Sequence, residues 1–305
     1  MKRKVKVGCL IVGVLLAVLI LAVVGLTARA MSKRADAAKH PPPVLGWDQI
    51  RHVPDLQYMP GPDADAERHT LDLFLPLTGE NWPVAVVVHG GSFLFNAKET
   101  MANVGIALAR HGVAAAIVNY RLVPKAWPPG QMHDVSRAVA WVHANGPAHG
   151  YDAQRLYIVA HSAGAFLSAL AIFRADGLQA AGMPPTAVRG AALVSGFYDI
   201  HDVPLPQRFA FGLLPSGWKN DSPITHLNAD SPPLLIAYAE HDIDRPAPVA
   251  KACRNFHASL RAAGVEAELV EIADANHLTI MGDIGRRPSG MLTRLLEMIA
   301  PEPAD

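Results

Sequence analysis

The sequence predicts an α/β fold with a mostly parallel sheet, and three observations carry that prediction. From about residue 47 onward, short apolar runs alternate with helix-length amphipathic segments, the order expected of strand–helix–strand units. Several of the runs are continuous aliphatic stretches, as strands covered on both faces by helices require. One run, Ile158-Val159-Ala160, drives into the turn Ala160-His161-Ser162-Ala163-Gly164, and a helix-like segment follows. Small residues flank the serine there, which suits a tight strand-to-helix turn whose two backbones pass close together.

Composition supports a large core, with 50% hydrophobic and only 18% charged residues. The 27 basic and 27 acidic residues cancel, and the body of the chain holds no long basic run. Phosphate binding is driven by clustered Lys and Arg, so nucleic acid is not expected as a partner. Of the two cysteines, Cys9 falls in an N-terminal apolar segment and Cys253 far beyond it, which argues against an intramolecular disulfide.

At the N-terminus, Lys2, Arg3, Lys4 and Lys6 precede residues 7–27, a run of 21 residues without a charge. At about 1.5 Å per residue this run spans a hydrocarbon core of about 30 Å. Residues 1–30 therefore read as a membrane anchor, with the body extracytoplasmic by the positive-inside rule. The alternative is an exported chain cleaved after Ala30, since Ala28-Arg29-Ala30 also offers an A-x-A site. Residues 31–46, with Pro41-Pro42-Pro43, read as an extended linker, and residues 47–305 as one folded domain.

Within that domain the expected strands are 71–75, 84–88, 113–118, 156–160, 191–194, 234–239 and 267–272. Met101, Val104 and Leu108 share one helical face, and His111-Gly112 supplies a stop. Met132, Val135, Val139 and Val142 form a second stripe, residues 245–263 a third helix ending at Gly264, and 289–299 a terminal one. These stripes read as core packing. The irregular, proline-bearing stretch 197–233 has the length of a small cap insertion, too short for a second domain.

The chemistry is read outward from Ser162. A serine hydroxyl is a poor nucleophile and needs a base within hydrogen-bond reach, together with donors aimed at the developing oxyanion. His89-Gly90-Gly91-Ser92 follows an apolar strand directly, and glycines let backbone N–H groups face a bound carbonyl oxygen. With Ala163, the residue after the serine, Gly90, Gly91 and Ser92 form the expected oxyanion hole. Asp242 follows the strand 234–239 and reads as the acid that orients the base; Glu240 and Asp244 offer the same chemistry nearby, Asp244 being the main alternative. His277 follows the last strand and is the expected base, since the order Ser162, Asp242, His277 is that of a strand-end nucleophile with its acid and base. His161 is expected to point away from the nucleophile and to serve as a packing or supporting group. His89 reads as ordering the glycine loop.

No metal is expected. His69, His133, His143 and His149 lack ligand spacing, and there is no H-E-x-x-H motif. No nucleotide cofactor is expected either, for the sequence has neither G-x-x-x-x-G-K-[ST] nor G-x-G-x-x-G. Trp127, Pro128, Pro129, Phe93, Phe95, Phe197 and the 209–211 stretch are candidates for an apolar acyl pocket or for core.

From about residue 55 to its end, the chain resembles the α/β-hydrolase superfamily in its HGG-bearing esterase branch. That branch includes hormone-sensitive-lipase-like and feruloyl-esterase-like carboxylesterases, arylformamidases and prenylcysteine methylesterases. The resemblance rests on Leu71-Asp72-Leu73-Phe74-Leu75-Pro76, His89-Gly90-Gly91-Ser92-Phe93, Asn119-Tyr120-Arg121-Leu122-Val123-Pro124 with Asp134, and His161-Ser162-Ala163-Gly164-Ala165. Ser195-Gly196-Phe197-Tyr198-Asp199, Asp242 with Pro246, and Asn276-His277 extend it. It implies an eight-stranded, mostly parallel sheet and a serine carboxylesterase that cleaves small to medium esters through an acyl-enzyme. Amide or formamide cleavage on acylated aromatic amines, and an inactive hydrolase fold serving as a binding module, are the alternatives. Two positions depart from the family pattern: Ala160 stands at the first elbow glycine, and Ser92 where some members carry a third glycine.

Overall fold

The computed structural model describes residues 46–183, 185–212, 218–242 and 248–299. The predicted N-terminal anchor and most of the proline linker lie outside these residues, and among the described residues no helix is long and apolar enough to cross a membrane. Asp244, Pro246 and the first residues of the predicted 245–263 helix also lie outside them.

One sheet of eight strands organises the domain: β1 (Ile50–Gln57), β2 (Thr70–Pro76), β3 (Trp82–Val88), β4 (Ala114–Val118), β5 (Tyr151–His161), β6 (Val188–Val194), β7 (Leu234–His241) and β8 (Ala267–Asn276). Their order across the sheet is β1-β2-β4-β3-β5-β6-β7-β8. β2 runs antiparallel to both β1 and β4, and all later neighbours are parallel. The apolar-run reading finds seven of these strands and misses β1. That strand is an edge, carries Pro54, slips register between Val53 and Leu56, and has mostly exposed or half-buried side chains. With one neighbour and a wet face, it has no reason to be a continuous aliphatic run.

The central strands are covered on both sides. Val84, Val86 and Val88 of β3 enter one core, and Ala85 and Val87 the other, as a period of two dictates. The first core is closed by α2 (Pro128–His149), α3 (Ala163–Phe173) and α4 (Pro248–Ala262). The second is closed by α1 (Ala102–Arg110) and α5 (Gly290–Ile299), through Val104, Leu108, Met291 and Leu295. The predicted stripe of α2 is buried as Met132, Val135, Val139 and Val142; Pro128 opens that helix, and Gly150 at φ 86° closes it.

Helix α3 has no polar face: all eleven of its residues are buried. It packs so tightly over β3 that a Cβ on Gly164 would lie 2.5 Å from the Val88 carbonyl oxygen and 2.6 Å from that of His89. This contact fixes the start of α3, and with it Ser162, against the end of β3 where the glycine loop begins. The stretch 197–233 contributes short helical turns, including Leu205–Arg208, Phe209–Phe211 and Trp218–Asp221, with residues 213–217 outside the described set.

Candidate active site

Ser162 lies between the end of β5 and the start of α3 with φ 54° and ψ −118°, a region that L-residues rarely occupy. Such a conformation costs about 1–3 kcal/mol and persists only where the surroundings over-determine it. Here the Ser162 N–H donates to the Val194 carbonyl at 2.8 Å, tying the turn to β6, while the Ser162 carbonyl receives the Phe166 N–H at 3.2 Å. The hydroxyl is thereby lifted from the sheet at the N-terminus of a buried helix, where the dipole favours developing negative charge.

Three residues separated by up to 115 positions meet at this point. His277 Nε2 is 3.0 Å from Ser162 Oγ, and His277 Nδ1 is 2.7 Å from Asp242 Oδ1. Since a carboxylate only accepts, His277 Nδ1 carries the proton and Nε2 is free to receive one from the serine. His277 follows β8 in a turn closed by Asn276, whose Oδ1 accepts from the N–H groups of Leu278 and Thr279, while Thr279 Oγ1 accepts from the Asn276 N–H. Asp242 follows β7, and its side chain is fully buried. Among the described residues, Asp242 is the carboxylate of those weighed for the acid that contacts His277. Glu240 instead accepts the Asp274 N–H at 3.0 Å, and Asp244 lies outside the described residues.

One residue that sequence reasoning left without a role completes this chain. Ser195 Oγ donates to Asp242 Oδ2 at 2.5 Å, and the Ala239 N–H reaches the same oxygen at 3.2 Å. Oδ2 is thus occupied by donors, and Oδ1 is turned toward His277. Ser195 is fully buried at the end of β6 with φ 51°, repeating the positive φ of Ser162 one strand away. The signal available in the sequence is positional, a serine at the C-terminal end of the strand next to the one that leads into Ser162.

The glycine loop sits beside the serine. The Gly90 carbonyl accepts from His89 Nδ1 at 2.8 Å and from Asn96 Nδ2 at 3.0 Å. In a planar trans peptide the N–H lies opposite the carbonyl, so the Gly91 N–H is directed away from both donors. Gly91 has φ 135°, and a Cβ there would fall 2.2 Å from the Phe95 carbonyl oxygen, so only glycine closes this loop. Ser92 follows with φ 53°. Among the described residues, the N–H groups of Gly91, Ser92 and Ala163 make no hydrogen bond to the protein. Gly90 contributes its anchored carbonyl and its closeness to Ser162, where a Cβ would approach the serine Cβ to 2.8 Å.

The two buried histidines at the site are held neutral. Burial lowers His89 to about 4, and its ring stacks on Tyr120 at 4.4 Å, with the Tyr120 hydroxyl donating to the His89 carbonyl. Burial, with the charge of His277 as a smaller cause, lowers His161 to about 3. Its Nε2 lies 2.9 Å from the His277 carbonyl oxygen. Among the described residues, no group of three His, Cys, Asp or Glu side chains is placed to hold a metal ion.

Of the apolar candidates, Phe93 is buried in a cluster with Phe166 and Phe211, whose rings lie 5.0–5.5 Å apart. Phe166, one helical turn after Ser162, was not among the expected lining residues. Trp127 and Phe209 are exposed, with ring centroids 5.9 Å apart.

Residues 71–183 match the BD-FAE family model, which takes in the glycine loop and the elbow but neither Asp242 nor His277. The chain is 30% identical over 246 residues to esterase LipQ of Mycobacterium tuberculosis, covering 73% of this chain and 56% of that protein. It thus spans little more than half of that relative. The kynurenine formamidase of Danio rerio is 25% identical over 269 residues, covering 83% of this chain and 85% of its own. Esterase B from Lactobacillus rhamnosis superposes with a TM-score of 0.77 at 18% identity, over 92% of this chain and 95% of that one, a likeness of fold. On this sheet order, this elbow and these relatives, the chain belongs to the α/β-hydrolase superfamily, in its HGG-bearing esterase branch.

Proposed function

We propose that the chain is a serine carboxylesterase that hydrolyses small to medium carboxylic esters, with Ser162 as nucleophile, His277 as base and Asp242 as its orienting acid. The observation that carries this reading is the continuous contact Asp242 Oδ1–His277 Nδ1–His277 Nε2–Ser162 Oγ, at 2.7 and 3.0 Å. The Ser162 hydroxyl passes its proton to His277 Nε2 as Oγ attacks the ester carbonyl. Asp242 stabilises the imidazolium that forms and keeps its own proton-free state. The N–H groups of Gly91, Ser92 and Ala163 hold the tetrahedral oxyanion, each such donor being worth about 10²–10³ in rate. His277 then protonates the leaving alkoxide, and in the second half-reaction takes a proton from water as the acyl-enzyme is cleaved.

Turnover of p-nitrophenyl acetate and butyrate by the purified chain tests this reading, with abolition by Ser162→Ala as the expected result. A folded chain without turnover on any ester of the series would leave the inactive binding module as the better account. Amide or formamide cleavage is the second reading, favoured by the match to 85% of the Danio rerio kynurenine formamidase. Rates on an ester and an amide of the same acyl group separate the two. The N-terminal segment is proposed as an uncleaved anchor that leaves the catalytic body extracytoplasmic. Membrane fractionation with N-terminal sequencing checks it, and a mature chain beginning at Met31 would replace the anchor with a cleaved signal.

A further inference from the structure

His161 is a buried polar side chain at the centre of the site for which the acyl-transfer steps have no use. Its ring is wedged between two working parts. A Cβ on Gly90 would lie 3.1 Å from His161 Nδ1, and the His161 and His277 ring centroids are 4.8 Å apart at 45°. Nε2 is 2.9 Å from the His277 main-chain oxygen. A carbonyl only accepts, so His161 must be the tautomer with its proton on Nε2, donating to the base's own backbone.

We propose that His161 is a positioning residue, fixing the main chain of His277 relative to the nucleophile through its Nε2–H···O=C hydrogen bond. The inference rests on the esterase reading above. His161 is the residue before Ser162, and its hydrogen bond closes a small ring: Ser162 to His161 along the chain, His161 to the His277 carbonyl, and His277 Nε2 back to Ser162 Oγ. The distance between nucleophile and base is therefore set inside the site itself. Without this bond it would depend on β5 and β8, which are separated by β6 and β7 in the sheet. The turn that bears His277 is held on its far side by Asn276 and Thr279, and His161 supplies the restraint on the near side. A neutral ring suits this task, because a cation beside His277 would oppose the imidazolium that forms during attack. Burial keeps His161 uncharged, lowering it to about 3.

A filler of space and a donor make different predictions for two variants of the full chain. His161→Phe keeps the ring shape and removes the donor; His161→Gln places a side-chain N–H within reach of the same carbonyl. Misplacing a catalytic pair by about 1 Å costs about 10²-fold. On p-nitrophenyl acetate, His161→Phe is expected to lower kcat by roughly 10–100-fold with KM within about twofold, and His161→Gln to recover most of the loss. Thermal melts report whether each variant is folded. Should His161→Phe not fold, His161→Met, whose flexible side chain fills irregular space without a donor, takes its place. A folded donor-free variant with wild-type kcat, or a folded His161→Gln as slow as it, would overturn the proposal. Absence of turnover in the wild-type chain would remove the esterase reading itself, a separate outcome read before any variant is made.

Discussion

Acidification gives the site's two buried histidines a measurable effect on stability. His89 and His161 are lowered by burial from 6.5 to about 4 and about 3. The folded state therefore holds both neutral under conditions in which the unfolded chain binds a proton at each. A depressed histidine contributes stability that is fully present above the unfolded pKa near 6.5. That contribution is lost as pH falls below 6.5 and down toward the folded value. Between about pH 7.5 and about pH 5 the loss integrates to about 2 kcal/mol for each residue, or about 4 kcal/mol together. That is a large share of the 5–15 kcal/mol that typically separates folded from unfolded domains. Other groups contribute in this range: His149 is also lowered, while burial raises Asp202 and Asp221, which act in the opposite sense. The variants rather than the wild-type slope are therefore decisive. Urea unfolding at the two pH values gives the pH-dependent loss for wild type, His89→Gln and His161→Gln. Each substitution is expected to shrink that loss by about 2 kcal/mol, whatever it does to stability at neutral pH. Two folded variants that keep the full wild-type pH dependence would refute the reasoning.

Ser195→Ala removes the 2.5 Å donor from Asp242 Oδ2 and leaves that oxygen the longer contact from Ala239. A charge-assisted hydrogen bond of this kind is worth about 1.5–3 kcal/mol, so a lower denaturation midpoint is expected together with a reduced kcat on p-nitrophenyl acetate. A variant unchanged in both would remove Ser195 from the account. Lys98 is buried, with Nζ 2.6 Å from Asp72 and 2.8 Å from the largely exposed Asp55. Lys98→Met takes the cation from the buried Asp72 and leaves it the His52 ring nitrogen and the Asp55 N–H, so a loss of about 3 kcal/mol, the low end for a broken buried pair, is expected in urea unfolding, with p-nitrophenyl acetate turnover retained by the fraction that folds. Gly164→Ala places a methyl 2.5 Å from the Val88 carbonyl oxygen, so the start of α3 must shift. A stability loss of about 1–3 kcal/mol is expected, with a drop in turnover measurable in the same preparation.

Much of this architecture was legible from residues because the central sheet is parallel and covered. β3, β4 and the Ile158–Ala160 end of β5 show as aliphatic runs since neither face meets water there, and the helix stripes are visible for the complementary reason. β1 was hidden by its position: an edge strand with polar side chains and a proline carries no such pattern. Ser162 and the glycine loop announce themselves locally, because a close backbone approach restricts side-chain size at Gly91 and Gly164. Ser195 could not be given a role this way. Its partner is 47 positions away, and the contact exists because β6 and β7 are neighbours in the sheet. His161 shows the same limit. Alternation along a strand indicates that its ring faces away from the serine side chain, but not that it meets the carbonyl of a residue 116 positions later. The chemistry-bearing residues were readable where the backbone constrains them, and unreadable where only tertiary adjacency does.

The central claim is that Ser162 is an activated nucleophile, and covalent capture measures it most directly. The purified full chain is incubated with a fluorophosphonate probe, digested, and mapped by mass spectrometry. The account predicts stoichiometric phosphonylation on the peptide bearing Ser162, lost in Ser162→Ala and strongly slowed in His277→Ala. A folded wild-type chain left unlabelled, or one labelled at a different serine, would contradict it.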